Sequence, residues 1–168
     1  MKLKFDYITE ETRLPVDDGK HIPMLILRPK HRHGEMGVGV LWIHGGGYIF
    51  GFKEMVHISR AVDLVRDFGA TVIAPGYRRA FHTPYPAAIN DCYHALLYLR
   101  DNAAALGVRS DQLMVGGESA GGGMTAALCM LAHDRGDTAA ARGYLEQARA
   151  INPDHTATKS LQRLVDVP

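Results

Sequence analysis

The chain has 168 residues, 46% of them hydrophobic, which is enough for one domain with a core of its own. Lys and Arg total 19 against 18 Asp and Glu with no basic stripe, which argues against nucleic acid or an anionic membrane surface as a partner. No apolar run approaches the ~20 residues of a membrane helix, and Met1-Lys2-Leu3-Lys4-Phe5-Asp6 opens without the apolar region of a signal peptide. Cys92 and Cys129 both lie in apolar helical patterns, so a reduced, cytoplasmic protein without structural disulfides is expected.

Lys4 to Ile8 and Ile22 to Leu27 are short and β-prone, separated by the turn-rich Val16-Asp17-Asp18-Gly19-Lys20. They predict an antiparallel pair at one edge of a sheet, and Pro23 in the second run suits an edge strand. His31 to Glu35 reads as a solvated loop. Val38 to Ile43 is a continuous apolar run, as expected of a strand covered on both faces. Glu54 to Phe68 has helical spacing and is closed by Gly69 as a C-cap. Ala70 to Ala74 predicts a second buried strand. A long helix follows over Pro86 to Leu106, stopped by Gly107, and Asp111 to Val115 predicts a third strand leading into a helix from Ala120 to about His133. This strand–helix alternation implies a parallel sheet with right-handed crossovers, whose ligands gather at the carboxyl ends of the strands.

Two motifs fall at that end. His44-Gly45-Gly46-Gly47-Tyr48 directly follows the first buried strand, and Gly117-Glu118-Ser119-Ala120-Gly121 directly follows the third. A G-x-S-x-G sequence between strand and helix reads as a nucleophile elbow, in which a sharp turn pushes a serine hydroxyl out of the sheet. An HGGG run after an earlier strand supplies backbone N–H donors for an oxyanion. Ser119 is therefore the candidate nucleophile, with the N–H groups of Gly45, Gly46 and Ala120 converging on the developing oxyanion. A serine hydroxyl also needs a base to take its proton and a third group to fix that base. Of the histidines, His133 lies about 14 residues along the helix that begins at Ser119, hence roughly 20 Å away. His82 and His94 flank the second crossover, with His94 reading as a partly exposed surface residue in mid-helix, and His57 reads as structural. Asp154-His155 is the candidate pair in the tail, but Asn152-Pro153-Asp154-His155 reads first as a helix start.

HGGGY, Pro75-Gly76-Tyr77-Arg78, Pro84-Tyr85-Pro86-Ala87-Ala88 and GESAGGG together resemble the hormone-sensitive-lipase branch of the α/β-hydrolase carboxylesterases, over about Phe5 to Arg135. The resemblance implies a serine carboxylic-ester hydrolase acting on a small acyl ester without a cofactor or metal. It implies Ser119 as nucleophile, Gly45, Gly46 and Ala120 as oxyanion donors, and His44 as a support for the oxyanion loop. Arg79 departs from the family pattern, which favours an apolar residue there. In the family the acid and the histidine follow the serine in chain order, and 49 residues follow it here. Activity of the isolated chain is therefore expected to be crippled.

The expected architecture is α/β: a truncated hydrolase sheet over residues 1–135, with an antiparallel edge pair and about three parallel strands, followed by a helical tail over 136–168. In that tail Gly136, Ala141, Leu145, Ala148 and Pro153 resemble the second half of a tetratricopeptide repeat in type and spacing. The alternative function is a catalytically inactive scaffold or protein-interaction module that uses this hairpin. The strand at Asp111 to Val115 would then be an exposed edge, open to a homodimer, a protein partner or the tail itself.

Overall fold

The computed structural model describes residues 6–31 and 36–136. Two antiparallel strands, β1 (Tyr7–Pro15) and β2 (His21–Pro29), precede three further strands, β3 (Gly37–Ile43), β4 (Thr71–Pro75) and β5 (Val108–Gly117). Helices α1 (Ala61–Phe68), α2 (Ala87–Asp101) and α3 (Ala120–Asp134) follow β3, β4 and β5 in turn. The sheet order is β1-β2-β4-β3-β5: β1, β2 and β4 pair antiparallel, while β4, β3 and β5 run parallel. This is the alternation expected from the sequence, and the crossover places both glycine motifs at the carboxyl end of the parallel strands.

Apolar residues occupy both faces of the central strands, because each face is covered. On β3, Leu41 and Ile43 pack with Met24, Ile26 and Ile73 beneath α2 and α3, where Leu96, Leu99, Met124 and Leu128 close the layer. The alternate residues Val40 and Trp42 join Leu25, Leu27 and Val72 under Val62 and Val65 of α1. One continuous apolar run therefore serves two cores through the two-residue period of a strand.

Several boundaries differ from expectation. The first strand covers Tyr7–Pro15 rather than Lys4 to Ile8, with partners running from Tyr7↔Pro29 to Pro15↔His21. The alternating polar residues Thr9, Glu11 and Arg13 concealed it, since β1 is the outermost strand and only part of it is buried. Pro23 does not mark an edge: β2 is interior, flanked by β1 and β4. Its tolerance has a local cause. The β2–β4 ladder ends at Met24↔Pro75, and the Pro23 carbonyl accepts the Gly76 N–H at 2.8 Å, so its missing N–H falls just past the ladder.

The helix expected over Glu54 to Phe68 is divided into a 3-10 segment, Lys53–Ile58, and α1. Ser59 makes the break, its hydroxyl donating to the Val56 carbonyl and accepting from the Ala61 N–H. Gly69 caps α1 in the left-handed region at φ 65°, as its position after the apolar pattern predicts. α2 stops at Asp101, five residues before the expected end, and turns lead through Gly107 into a β5 longer than expected at both ends. Cys92 and Cys129 are both buried as free thiols. No helix among the described residues is long and apolar enough to cross a membrane. Among the described residues β5 is an edge strand. The tetratricopeptide-like hairpin and the Asp154-His155 pair fall beyond residue 136, outside the described residues.

Candidate functional site

β5 ends at Gly117 and α3 begins at Ala120, leaving Glu118 and Ser119 to reverse the chain between them. Ser119 sits at φ 53°, ψ −118°, a conformation that a residue with a side chain adopts at a cost of about 1–3 kcal/mol. Two bonds hold it there: Gly121 N–H donates to the Glu118 carbonyl at 2.8 Å, and Gly123 N–H to the Ser119 carbonyl at 3.2 Å. The turn is also tied to the neighbouring strand, through Glu118 N–H to the Ile43 carbonyl at 3.2 Å. Ser119 is exposed at the start of α3, whose positive end lies at this turn.

The glycines permit this approach. A Cβ on Gly117 would stand 2.6 Å from the Ile43 carbonyl oxygen, and one on Gly121 would overlap that same oxygen. A Cβ on Gly45 would lie 2.9 Å from the Glu118 carbonyl oxygen and 3.4 Å from the Ser119 Cβ. The glycine loop and the serine turn are thus in contact through backbone, although 74 residues separate Gly45 from Ser119 in the chain.

Beyond Gly45 the loop turns through three positive-φ residues, Gly46 at 121°, Gly47 at 61° and Tyr48 at 65°. Phe50 N–H closes it onto the Gly46 carbonyl at 2.8 Å. His44 lies buried beneath the loop, its Nδ1–H donating to the Gly45 carbonyl at 2.8 Å. Its ring stacks on Tyr77 with centroids 4.2 Å apart, and the Tyr77 hydroxyl donates to the His44 carbonyl at 3.1 Å. Burial depresses the His44 imidazole below its ordinary value and pushes the Tyr77 phenol up to about 12. Both rings are therefore neutral near pH 7.

The structure brings Ser119, Ala120 and Gly45 together, with Gly46 and His44 alongside in the same loop. Among the described residues it bonds no histidine to the serine. His44 bonds within its own loop, His57 pairs with the Tyr7 hydroxyl at 2.8 Å, and His94 bonds the Asn90 carbonyl at 2.8 Å. His133 stands beside Asp134. Among the described residues no histidine hydrogen-bonds the Ser119 hydroxyl.

Two features of the site were not given a role by the sequence. Gly51, at φ 96°, passes so close beneath His44 that a Cβ would stand 2.6 Å from Nδ1. Its signal was only a glycine between two phenylalanines. Arg78 and Asp91 fix the segment that follows β4: the Arg78 backbone N–H donates to Asp91 Oδ2 at 2.8 Å, and its Nη2 to Oδ1 at 2.7 Å. Asp91 is fully buried on α2, 13 residues away, and a spacing of that size carries no readable signature.

Two cavities flank the glycine loop. One, of about 380 Å³, lies over the ends of β2 and β4 and is bordered by His21, Lys53, Arg78, Arg79 and His82. The other, of about 320 Å³, lies between α2 and α3 beside Tyr48.

A family model of the alpha/beta hydrolase fold matches residues 40–164, running past Arg135, the approximate end of the resemblance read from the sequence. An ethyl acetate hydrolase of Pseudomonas putida is 35% identical over 116 residues, covering 68% of this chain and 36% of its own length. An arylesterase of Saccharolobus solfataricus is 36% identical over 127 residues, covering 75% of this chain and 40% of its own length. The solved structure of a bacterial heroin esterase superposes with a TM-score of 0.73 at 35% identity, over 78% of this chain and 41% of the esterase. The chain thus spans about two fifths of the length of these relatives.

Proposed function

Because the chain belongs to the hormone-sensitive-lipase type of α/β-hydrolase, we propose that it carries the nucleophile and oxyanion half of a carboxylic-ester hydrolase. The observation that supports this reading is the backbone of Ser119, held at φ 53° in a strand-to-helix turn against Gly45 of the glycine loop. Ser119 Oγ attacks the ester carbonyl carbon and passes its proton to a base. Negative charge then develops on the carbonyl oxygen, where the N–H groups of Ala120, Gly45 and Gly46 receive it. Collapse breaks the bond to the alcohol oxygen, which takes the proton from the base as it leaves, and the acyl-serine that remains is hydrolysed by water. Each oxyanion donor contributes roughly 3–4 kcal/mol in the transition state. His44, neutral and bonded to its own loop, holds those donors in place and exchanges no proton with substrate.

In this reading the base and its orienting acid lie outside the described residues, since none of the described histidines hydrogen-bonds Ser119. Without both groups at Ser119 kcat typically falls by about 10⁶, and ester hydrolysis near the background rate is the outcome expected for the 168-residue chain. A p-nitrophenyl acetate assay of purified chain and Ser119→Ala tests this. Matching rates near background are expected, and robust turnover abolished in the variant would show that the chain supplies its own base. Slow, stoichiometric labelling of Ser119 by a fluorophosphonate, located by peptide mass spectrometry, supports the nucleophile assignment. Labelling elsewhere, with Ser119 unmodified in folded protein, would overturn it.

A further inference from the structure

Arg79 has no part in the serine chemistry, and it stands where the resemblance calls for an apolar side chain. It borders the cavity of about 380 Å³ over the ends of β2 and β4, with His82 on the same wall. The segment that carries both is fixed at several points. The Arg78 N–H donates to Asp91 at 2.8 Å and the Ala80 N–H to the Tyr48 carbonyl at 2.8 Å. The Arg79 carbonyl accepts the N–H groups of His82 and Thr83, each at 3.0 Å. A single tight turn therefore presents Arg79 and His82 to one cavity.

Charge around this cavity is unevenly matched. Lys53 is buried and pairs with both Glu54 and Glu11, the latter at 3.3 Å. Arg78 is held by Asp91 at 2.7 Å and meets Asp18 at 3.7 Å. Lys53 and Arg78 are thus each answered by two carboxylates. Among the described residues no carboxylate pairs with Arg79, whose side chain is exposed on the wall. Its charge is felt next to the glycine loop: burial chiefly depresses the His44 imidazole, and Arg79 adds to that depression.

We infer that this cavity binds a small organic monocarboxylate, its head group on the Arg79 guanidinium and its apolar body against Pro23 and Phe52. The planar guanidinium fork matches a carboxylate through two parallel N–H···O bonds. One unmatched cation calls for one negative charge, and Glu54 on the same lining opposes a dianion such as a phosphate monoester. Thr83 adds a hydroxyl to the lining, while Ile22, Pro23 and Phe52 give it an apolar side. At ~30 Å³ per water-sized unit the volume holds about a dozen such units, which suits a carboxylate on a single ring or a short chain. Neither Ser119 nor Ala120 borders this cavity, so the site is separate from the serine turn.

Titration of the full ¹⁵N-labelled chain with benzoate, followed by amide shifts, provides the test. Benzoate should bind saturably, with the largest shifts over residues 51–54 and 76–83. Benzyl alcohol, which has the ring without the charge, should bind at least tenfold more weakly. Arg79→Gln should weaken benzoate by at least tenfold in protein that melts like the parent. Arg79→Lys keeps the charge without the fork and should fall between the two. Ser119→Ala should bind benzoate as the parent does. Equal affinity for benzoate and benzyl alcohol, or equal affinity of parent and folded Arg79→Gln for benzoate, would overturn the site. Inorganic phosphate binding more tightly than benzoate would overturn the ligand class, and shifts centred on residues 117–123 would move the carboxylate to the serine turn instead.

Discussion

The Tyr77 hydroxyl donates to the His44 carbonyl at 3.1 Å while the two rings stack 4.2 Å apart. A residue just past β4 thus secures the residue just past β3, and His44 in turn holds the Gly45 carbonyl through Nδ1–H. Tyr77→Phe keeps the stacking and removes only the hydroxyl donor, leaving a buried carbonyl short of a partner. It should lower unfolding free energy by about 1–2 kcal/mol in urea, and Tyr77→Ala by about 3–5 kcal/mol. Equal stability of Tyr77→Phe and parent would mean that the bond contributes nothing.

Adjacent glycines at the start of α3 differ sharply in what surrounds them. A Cβ at Gly121 meets the Ile43 carbonyl, which is backbone of the interior strand β3 and cannot yield, whereas one at Gly122 stands 3.3 Å from the Gly117 carbonyl. Gly121→Ala should therefore unfold the domain or lower its stability by more than about 3 kcal/mol, while Gly122→Ala stays within about 1 kcal/mol. Circular-dichroism melts of the two variants side by side decide the matter, and similar melts would contradict the packing described.

Asp91 is fully buried and bound by Arg78 through both its backbone and its guanidinium. Removing Asp91 leaves the Arg78 guanidinium with only the exposed Asp18 carboxylate at 3.7 Å, so Asp91→Ala should cost about 3–5 kcal/mol. The loss should persist in high salt, because a buried pair is little screened. Recovery of stability by added salt would place the pair in solvent instead.

Burial lowers the imidazoles of His44 and His57 below the ordinary 6.5. As pH falls through that value the unfolded chain takes up protons before the folded one, so stability declines from there towards the folded-state values. Melting temperatures should fall between about pH 7.5 and pH 5, and His57→Gln should remove part of that slope. A melting temperature that is flat or rises on acidification across this range would contradict the burial of these rings.

Cys129 is pushed up to about 12 by burial, and the Cys92 thiol is raised as well for the same reason. Neither should react with a thiol-exchange reagent in the native state near pH 8, and both should titrate on unfolding. Rapid native reaction of either thiol would show that the layer between α2, α3 and the sheet opens readily.

Where hydrophobic pattern, turn chemistry and motif agree, the fold was legible from residues alone. Val38 to Ile43 reads as a doubly covered strand, Gly69 as a cap, and GESAG as a turn between strand and helix, because these depend on neighbours close in the chain. β1 was misplaced because an outermost strand carries polar residues such as Glu11 and Arg13 in the middle of its run. The break at Ser59 was missed because helical spacing continues across it.

Local sequence determined that Ser119 would stand at a strained turn and that residues 44–48 would form an open glycine loop, since both follow from glycine content and the strands before them. Tertiary structure alone decided that Gly45 meets the serine turn, that Tyr77 and Gly51 hold His44, and that Asp91 holds Arg78. These contacts join residues 7 to 74 positions apart whose meeting depends on strand order β4-β3-β5 and on helix placement. Chain periodicity records which face of an element is apolar, but not which element will lie against it.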